Sequence, residues 1–272
     1  MRRIVVGVAV LSALLAAAPA GAAISGVAAK QWAAKIAALG QRPAGGTHER
    51  QAQEKVKTRL RALGYDVAGQ WFTLPNGKLD RNIVGRTTKP TRVVIVAHVD
   101  GVWGTTAAND NGSGVGLLLE VARELRNKPG VLVAALGAEE RHVTGSSWHL
   151  GSVRLLQSLT KAQRANVRLA LSLDMVGVGT RLHVRGIEAA PNRSARLVLA
   201  RARALGIRVT YLQDSGQSDH AEMSRAGMPA GWIEWRNDAC WHSPCDRISR
   251  VKPWKLQPAG RVTLAAARRA LG

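Results

Sequence analysis

One short stretch in the first half of the sequence concentrates residue types that bind metal ions and transfer protons. His98 and Asp100 follow one apolar run, Glu139 and Glu140 follow a second, and Asp110 lies in the glycine-flanked loop between them. Imidazole nitrogens and carboxylate oxygens are the donors that proteins offer to zinc, and also to manganese or cobalt. The stretch therefore predicts a metal-dependent hydrolytic site.

Two later residues, Asp174 and His242, extend this stretch to a set of five candidate metal ligands. Five donors are more than one open catalytic site needs, whereas two metal ions about 3.5 to 4 Å apart, bridged by a carboxylate and a water, account for all of them. Asp110 is the predicted bridge because its side chain is short and its neighbours are flexible. The predicted ligands are His98, Asp110, Glu140, Asp174 and His242.

Two acids beside these ligands have other predicted roles. Asp100 lies two residues beyond His98 and is predicted to hold the imidazole of that ligand from behind. Glu139 and Glu140 point in different directions on an extended backbone, so Glu139 is free to act as general base on metal-bridged water. A bound metal can lower the pKa of such a water to about 7.

An alternation of strands and helices has to position these groups. Strands are predicted at 65–72, 81–86, 92–98, 131–136, 168–176, 181–185, 207–211 and 230–235, and helices at 24–40, 47–63, 112–125, 146–157, 192–205, 220–225 and 258–271. This order indicates a single α/β domain with a mostly parallel, twisted central sheet sandwiched by helices. Most candidate residues follow strands directly, at the carboxyl edge where such sheets bind ligands.

The first 23 residues have the composition of an export signal. Arg2 and Arg3 precede an apolar run, which ends in small residues. The run is too short to span a bilayer comfortably, since a spanning helix takes roughly 20 residues, although an uncleaved anchor is the alternative. We therefore predict a signal peptide at 1–23, a catalytic domain at 24–272, and a secreted, periplasmic or cell-envelope location without a transmembrane segment after processing.

The two cysteines of the chain, Cys240 and Cys245, are separated by four residues. In an exported protein such a pair most simply forms a local disulfide, which stabilises by roughly 2 kcal/mol. A thiolate metal pair is the rival interpretation, but the export route is oxidising and the sequence has no second cysteine pair. We predict the disulfide.

The formal net charge of +21 predicts attraction to polyanions. Aromatic residues make up only 4% of the chain, and we find no motif for nucleic-acid recognition. The charge thus indicates a solvated basic surface, with nonspecific association to polyanions or the cell envelope and no specific nucleic-acid partner. A non-catalytic, envelope-binding module remains one hypothesis for the whole chain.

Six short motifs link these residues to a known family. They are AHVDG, AANDNGSG, GAEE, LDMVG, SDH and CWHSPCD, and they extend over about 42–246. In order and approximate spacing they resemble the co-catalytic zinc aminopeptidases, whose family also includes glutaminyl cyclases and prostate-membrane-antigen-type carboxypeptidases. The resemblance implies a zinc-exopeptidase-like fold, two zinc ions, and hydrolysis of the first peptide bond of substrates with a free N-terminus.

The same resemblance implies a division of the ligands between the metals. One zinc ion is then held by His98, Asp110 and Asp174, and the other by Asp110, Glu140 and His242. Glu139 takes the role of the general base.

The residue before the last histidine ligand supports a second hypothesis. Many aminopeptidases have tyrosine there, whereas this chain has Trp241, which resembles the glutaminyl cyclases that use one zinc ion to cyclise an N-terminal glutamine. The peptidase is preferred because the loop NDNGSG resembles peptidases and SDH replaces the Asp-Asp-His usual in cyclases. His220, within SDH, is predicted either to position substrate or to make a structural hydrogen bond, and His149 is predicted to be structural or solvated.

Overall fold

A computed structural model of the chain describes residues 24–88, 90–141 and 148–272. The predicted signal peptide and the start of the helix predicted at 146 lie outside these ranges. Of the helices within them, none combines the length and apolar character that a membrane crossing requires.

A mixed sheet forms the centre of the described chain. Its strands are β1 (Asp66–Thr73), β2 (Leu79–Arg86), β3 (Val93–His98), β4 (Val131–Leu136), β5 (Leu169–Leu173), β6 (Arg181–Gly186), β7 (Thr210–Gln213) and β8 (Ala230–Arg236). Their order across the sheet is β1-β2-β4-β3-β5-β8-β6-β7. The four central strands are parallel, while β2 and β6 join them antiparallel on either side. The predicted α/β sheet is confirmed, with its parallel pairing concentrated in the middle.

Helices cover both faces of the sheet. They are α1 (Gly26–Ala37), α2 (Thr47–Ala62), α3 (Gly114–Leu125), α4 (Leu150–Gln157), α5 (Lys161–Ala165), α6 (Arg193–Ala204), α7 (His220–Arg225) and α8 (Pro253–Leu271). Every residue of β3, β4 and β5 is buried, because alternate side chains point into different cores. Ile95 packs in the core with α1, α3 and α8, whereas Val94 and Val96 pack in the core with α4 and α7.

Some element boundaries differ from the sequence prediction. Helix α8 begins at Pro253, which suits the first turn, and continues through Pro258, where the sequence predicted the start. Leu256 and Ala259 are buried, so tertiary packing retains the turns on both sides of the second proline. Helix α5 was not predicted; its five residues are defined by a capping box at Thr160 rather than by an apolar stripe.

Two buried carboxyl groups, Glu49 on α2 and Asp80 on β2, lie against each other. One oxygen of Glu49 accepts the backbone N–H of Gly45, and one oxygen of Asp80 accepts hydrogen bonds from Gln53 and from the Arg81 backbone. Their remaining oxygens, Glu49 Oε1 and Asp80 Oδ2, have no donor among the described groups. A single proton held between the two side chains would satisfy both oxygens.

This pair has raised pKa values. Burial, followed by the charge of Asp80, raises the pKa of Glu49 well above its ordinary value. Burial raises the pKa of Asp80 to about 6. Asp80 packs against the backbone just after β4, because a Cβ on Gly137 would lie 2.7 Å from its Oδ1.

We expect the free energy of unfolding of Glu49→Gln to fall less with rising pH than that of the wild type. The folded pair keeps a proton that the unfolded chain releases above about pH 4.5, so the free energy of unfolding falls as pH rises. The glutamine amide donates to Asp80 in place of that proton. Relative to the wild type, the variant should gain about 1–3 kcal/mol between pH 5 and pH 8 in guanidinium denaturation.

The control is Glu54→Gln, which changes an exposed carboxylate on the same helix whose pKa is lowered by its hydrogen bond to Arg81. It should show no such gain. Equal pH dependence of Glu49→Gln and the wild type would contradict the shared proton.

Candidate metal centre

The predicted site residues meet at the carboxyl edge of the central strands. Asp110, Glu139, Glu140, Asp174 and His242 border a cavity of about 900 Å³. His98 is the last residue of β3, Asp174 follows β5, and Glu139 and Glu140 follow β4 after a two-residue turn. The parallel arrangement of these strands therefore delivers four of the predicted groups to one place.

Asp110 lies between two pairs of candidate ligands. Its Oδ1 is 3.3 Å from His98 Nε2, which is also 3.5 Å from Asp174 Oδ1. Its Oδ2 is 3.2 Å from His242 Nε2, which is 3.0 Å from Glu140 Oε1. The two oxygens of one carboxylate thus face two separate histidine–carboxylate pairs, and within each triad the donor atoms lie within 4.8 Å of one another.

Asp100 links the strand carrying His98 to the loop carrying the two glutamates. Its Oδ1 lies 3.5 Å from His98 Nδ1, on the side of the ring away from the cavity ligands. The same carboxylate accepts the backbone N–H groups of Glu139 and Glu140 at 3.1 and 3.0 Å. Asp100 therefore fixes the start of the β4 loop and lies behind His98, where the sequence predicted it.

The loop that carries Asp110 is a tight turn, residues 108–113, preceded by Ala107 in the left-handed region. The carboxylate of Asp246 accepts the backbone N–H groups of Asn109 and Asp110 at 2.7 and 3.0 Å. Asn111 donates from its side chain to the carbonyl of Leu173, at the end of β5. These bonds hold the Asp110 backbone from two sides, and the peptide between Asp110 and Asn111 is cis.

His242 is supplied by the loop after β8. The predicted disulfide between Cys240 and Cys245 is present and closes this loop. His242 itself adopts positive φ, at 53°. Trp241 lies beside it with a ring-centroid separation of 4.3 Å and is 52% exposed at the cavity. The tryptophan therefore forms part of the cavity wall next to the last candidate ligand.

The cluster contains more acids than bases, and its pKa values reflect this. Burial and then the charge of Asp110 raise the pKa of Glu140 to about 7. Burial also raises the pKa of Glu139 well above its ordinary value. Burial lowers the pKa of His242, but hydrogen bonds to Asp110 and Glu140 outweigh it and raise that pKa to about 10. Additional positive charge in the cluster would favour the ionised acids.

The donors present fit metal ions. Asp174 Oδ1 is buried and has no hydrogen-bond donor among the described residues, which is costly unless a cation or proton satisfies it. Each triad offers one imidazole nitrogen and two carboxylate groups, a donor set that suits zinc, manganese or cobalt. The shared carboxylate of Asp110 would place two such ions side by side.

His220 lies behind the cavity wall. It is fully buried, with Nε2 3.0 Å from Asp214 Oδ2, and its ring packs 5.8 Å from that of Trp232, which lines the cavity. Of the two roles predicted for His220, this placement favours the structural contact.

A paired arginine that the sequence analysis did not single out forms part of the cavity lining. Arg185 is buried and donates to Glu234 at 2.9 Å and to Gln217 at 2.7 Å. Its guanidinium group stacks 4.1 Å from the ring centroid of Trp232. This part of the cavity is therefore polar, with its charges largely compensated. Two further roles were also missed: Asp246 ends the CWHSPCD motif but was assigned no contact, and His149 was predicted only to be structural or solvated.

The sequence matches the model of a known protein family. The family model described as peptidase family M28 matches residues 82–267. Aminopeptidase YwaD of Bacillus subtilis is 29% identical over 204 residues, which cover 68% of this chain and 44% of YwaD. The chain thus spans less than half the length of that relative.

Solved structures share the fold. A zinc aminopeptidase from Bacillus subtilis superposes with a TM-score of 0.84 at 19% identity, covering 91% of this chain and 95% of that one. A glutaminyl cyclase from Bacteroides thetaiotaomicron, bound to N-acetylhistamine, superposes with a TM-score of 0.79 at 23% identity, covering 90% and 98%. These similarities confirm the predicted fold.

Asp246→Asn should weaken both the fold and metal binding. The carboxylate accepts two backbone N–H groups, whereas an amide accepts with one oxygen and leaves the other N–H facing its own NH₂ group. We expect the free energy of unfolding to fall by about 1–3 kcal/mol. Zinc affinity, measured by competition with a chromophoric chelator, should fall roughly 10- to 100-fold.

The matched control is Asp66→Asn, at an exposed position on β1. If Asp246→Asn binds zinc as tightly as this control does, Asp246 does not position the Asp110 turn for a metal.

Proposed function

This chain belongs to peptidase family M28, as its six motifs predicted, and we propose that it is an exported zinc-dependent aminopeptidase. The observation that carries the proposal is the placement of Asp110, whose two oxygens face separate histidine–carboxylate pairs. One bridging carboxylate with two flanking triads is the arrangement expected of a two-metal hydrolase.

We assign the metals as the family resemblance implied. His98, Asp110 and Asp174 would hold one zinc ion, and Asp110, Glu140 and His242 the other. When bound there, zinc supplies a Lewis acid for the carbonyl oxygen of a peptide and lowers the pKa of a water. Asp100 would keep the His98 ring directed toward the metal.

Glu139 is the proposed general base. Its backbone is fixed by the hydrogen bond to Asp100, and its side chain borders the cavity although it belongs to neither triad. Glu139 takes a proton from the attacking water and returns it to the nitrogen of the leaving amine. Because Glu139 is buried, water does not stabilise its ionised form, and burial therefore raises its pKa and its affinity for a proton.

The proposed substrates are peptides with a free N-terminus. Carboxyl groups line the cavity around the candidate metal sites. This environment favours a substrate that presents a protonated α-amine over one that presents a carboxylate. Residues 1–23 are proposed to direct export, and a disulfide in the His242 loop suits an oxidising compartment. The positive charge of the chain is proposed to add nonspecific association with polyanions or the cell envelope.

Glutaminyl cyclase activity is the second candidate. The specific observation in its favour is Trp241 beside His242 at the cavity wall, where many aminopeptidases have tyrosine. The presence of two donor triads argues against it, because an enzyme with one zinc ion at Asp110, Glu140 and His242 does not require the second triad of His98, Asp110 and Asp174. The third hypothesis, a non-catalytic basic module, does not account for two triads of metal-binding donors.

Glu139→Gln should abolish most of the peptidase activity while leaving the metals bound. The amide keeps the size of the side chain but cannot accept the water proton, so kcat on aminoacyl anilides should fall by about 10²- to 10⁴-fold. Metal content by mass spectrometry should match the wild type. The surface variant Glu54→Gln serves as control, and full activity in Glu139→Gln would reject the assigned base.

A panel of three substrates separates the two candidate reactions. We expect an unblocked peptide to lose its first residue, an N-acetylated peptide to resist, and a peptide with N-terminal glutamine to be cleaved rather than to lose ammonia. A chelator should stop the reaction, and about two equivalents of zinc should restore it. Cyclisation at one equivalent of zinc, without cleavage, would replace the aminopeptidase by the cyclase.

A further inference from the structure

His149 occupies a strained and precisely held position beside the proposed base. It precedes α4 and adopts the left-handed conformation, with φ 60° and ψ 35°. Its backbone N–H donates to the carbonyl of Glu139 at 2.8 Å, and the next N–H, of Leu150, donates to the carbonyl of Ala138 at 2.9 Å. These two bonds fasten the segment that carries His149 to the segment that carries Glu139.

The imidazole of His149 lies between two carboxylates. Nε2 is 3.4 Å from Glu139 Oε1, and Nδ1 is 3.4 Å from Glu222 Oε1 on α7. Glu222 also forms an ion pair with Arg225 near the surface. His149 is only 3% exposed, although it borders the cavity. A continuous row of side chains therefore runs from the buried base to the protein surface.

Among the described residues, no other lysine, arginine or histidine nitrogen is paired with the Glu139 carboxylate. Glutamate has three rotatable side-chain bonds, so a buried glutamate without a partner is poorly fixed in direction. A hydrogen on Nε2 would face Glu139, and a hydrogen on Nδ1 faces Glu222, so only the imidazolium ion donates to both carboxylates. The ring is itself held on its far side by Glu222.

We propose that His149 is a positioning residue that orients the Glu139 carboxylate, with Glu222 orienting the imidazole in turn. This inference rests on the proposed function, in which Glu139 is the base. The left-handed conformation of a non-glycine residue is strained, which is consistent with a position retained for what its side chain contacts.

Two substitutions separate the two contacts of the ring. His149→Gln places an amide N–H near the position of Nε2, so it retains a donor to Glu139. His149→Asn places its amide near the position of Nδ1, so it retains only the contact with Glu222, and asparagine tolerates the left-handed backbone. The control is His183→Asn, which changes a buried histidine whose Nδ1 pairs with Thr210, away from the cavity.

In the zinc-loaded enzyme, His149→Asn should lower kcat about 10- to 100-fold with KM within about twofold, whereas His149→Gln should recover most of that loss. The zinc content and the midpoint of thermal unfolding of both variants should equal those of the His183→Asn control. The inference is overturned if His149→Asn retains the kcat of that control, or if the two variants at 149 lose activity equally.

A spectroscopic measurement tests the contact without catalysis. In protein labelled with ¹⁵N in its imidazoles, the signals of His149 are those lost in His149→Asn. We expect Nε2 to carry a hydrogen and its shift to move in Glu139→Gln, and Nδ1 to move in Glu222→Gln. A ring protonated on Nδ1 alone, or one insensitive to Glu139→Gln, rejects the proposal. If the wild-type protein lacked peptidase activity, the proposed function would be rejected instead. The nitrogen chemical shifts would still show whether His149 contacts Glu139.

Discussion

Repulsion among buried carboxylates is the constraint that the rest of this structure has to satisfy. Six acids lie almost entirely out of solvent at one edge of the sheet, and burial of an unpaired charge costs several kcal/mol. The molecule offsets this cost with two histidines and with backbone N–H groups that donate to the carboxylates, as at Asp100. The proposed zinc ions would complete the charge balance. The six are Asp100, Asp110, Glu139, Glu140, Asp174 and Asp219.

The backbone around this cluster is held in conformations that few residues adopt freely. Ala107, Ala138, Met175 and His242 all have positive φ without being glycine, and each lies within three residues of a proposed ligand or base. Such positions persist only where the surroundings determine them. Here the surroundings are the fully buried central strands, together with Arg42, whose guanidinium donates to three buried carbonyls of the adjoining loops. The buried central sheet thus holds strained backbone positions next to the proposed ligands.

The sequence was informative where function follows local order. Strand β3 is a continuous β-branched run, so His98 could be placed at its end, and the same reasoning placed Asp174 after β5. It was uninformative where a residue acts through a distant partner. Asp246 ends the CWHSPCD motif, but nothing in that motif shows that its carboxylate binds the backbone of Asp110, 136 positions earlier in the sequence. His149 has the same character, because its partner Glu222 belongs to a helix whose packing the sequence does not specify. Helix α8 shows the opposite failure, since a proline taken as a start lies inside a helix held by packing.

The donors proposed for the two metals extend from residue 98 to residue 242 of 272. The first triad is complete in sequence once Asp174 has been made, but the second waits for the loop after β8. A nascent chain therefore carries the base and four donors long before it can present a complete pair of triads. Assembly of the proposed site is therefore tied to synthesis of almost the entire domain, because a chain that ends before the loop after β8 lacks the histidine of the second triad.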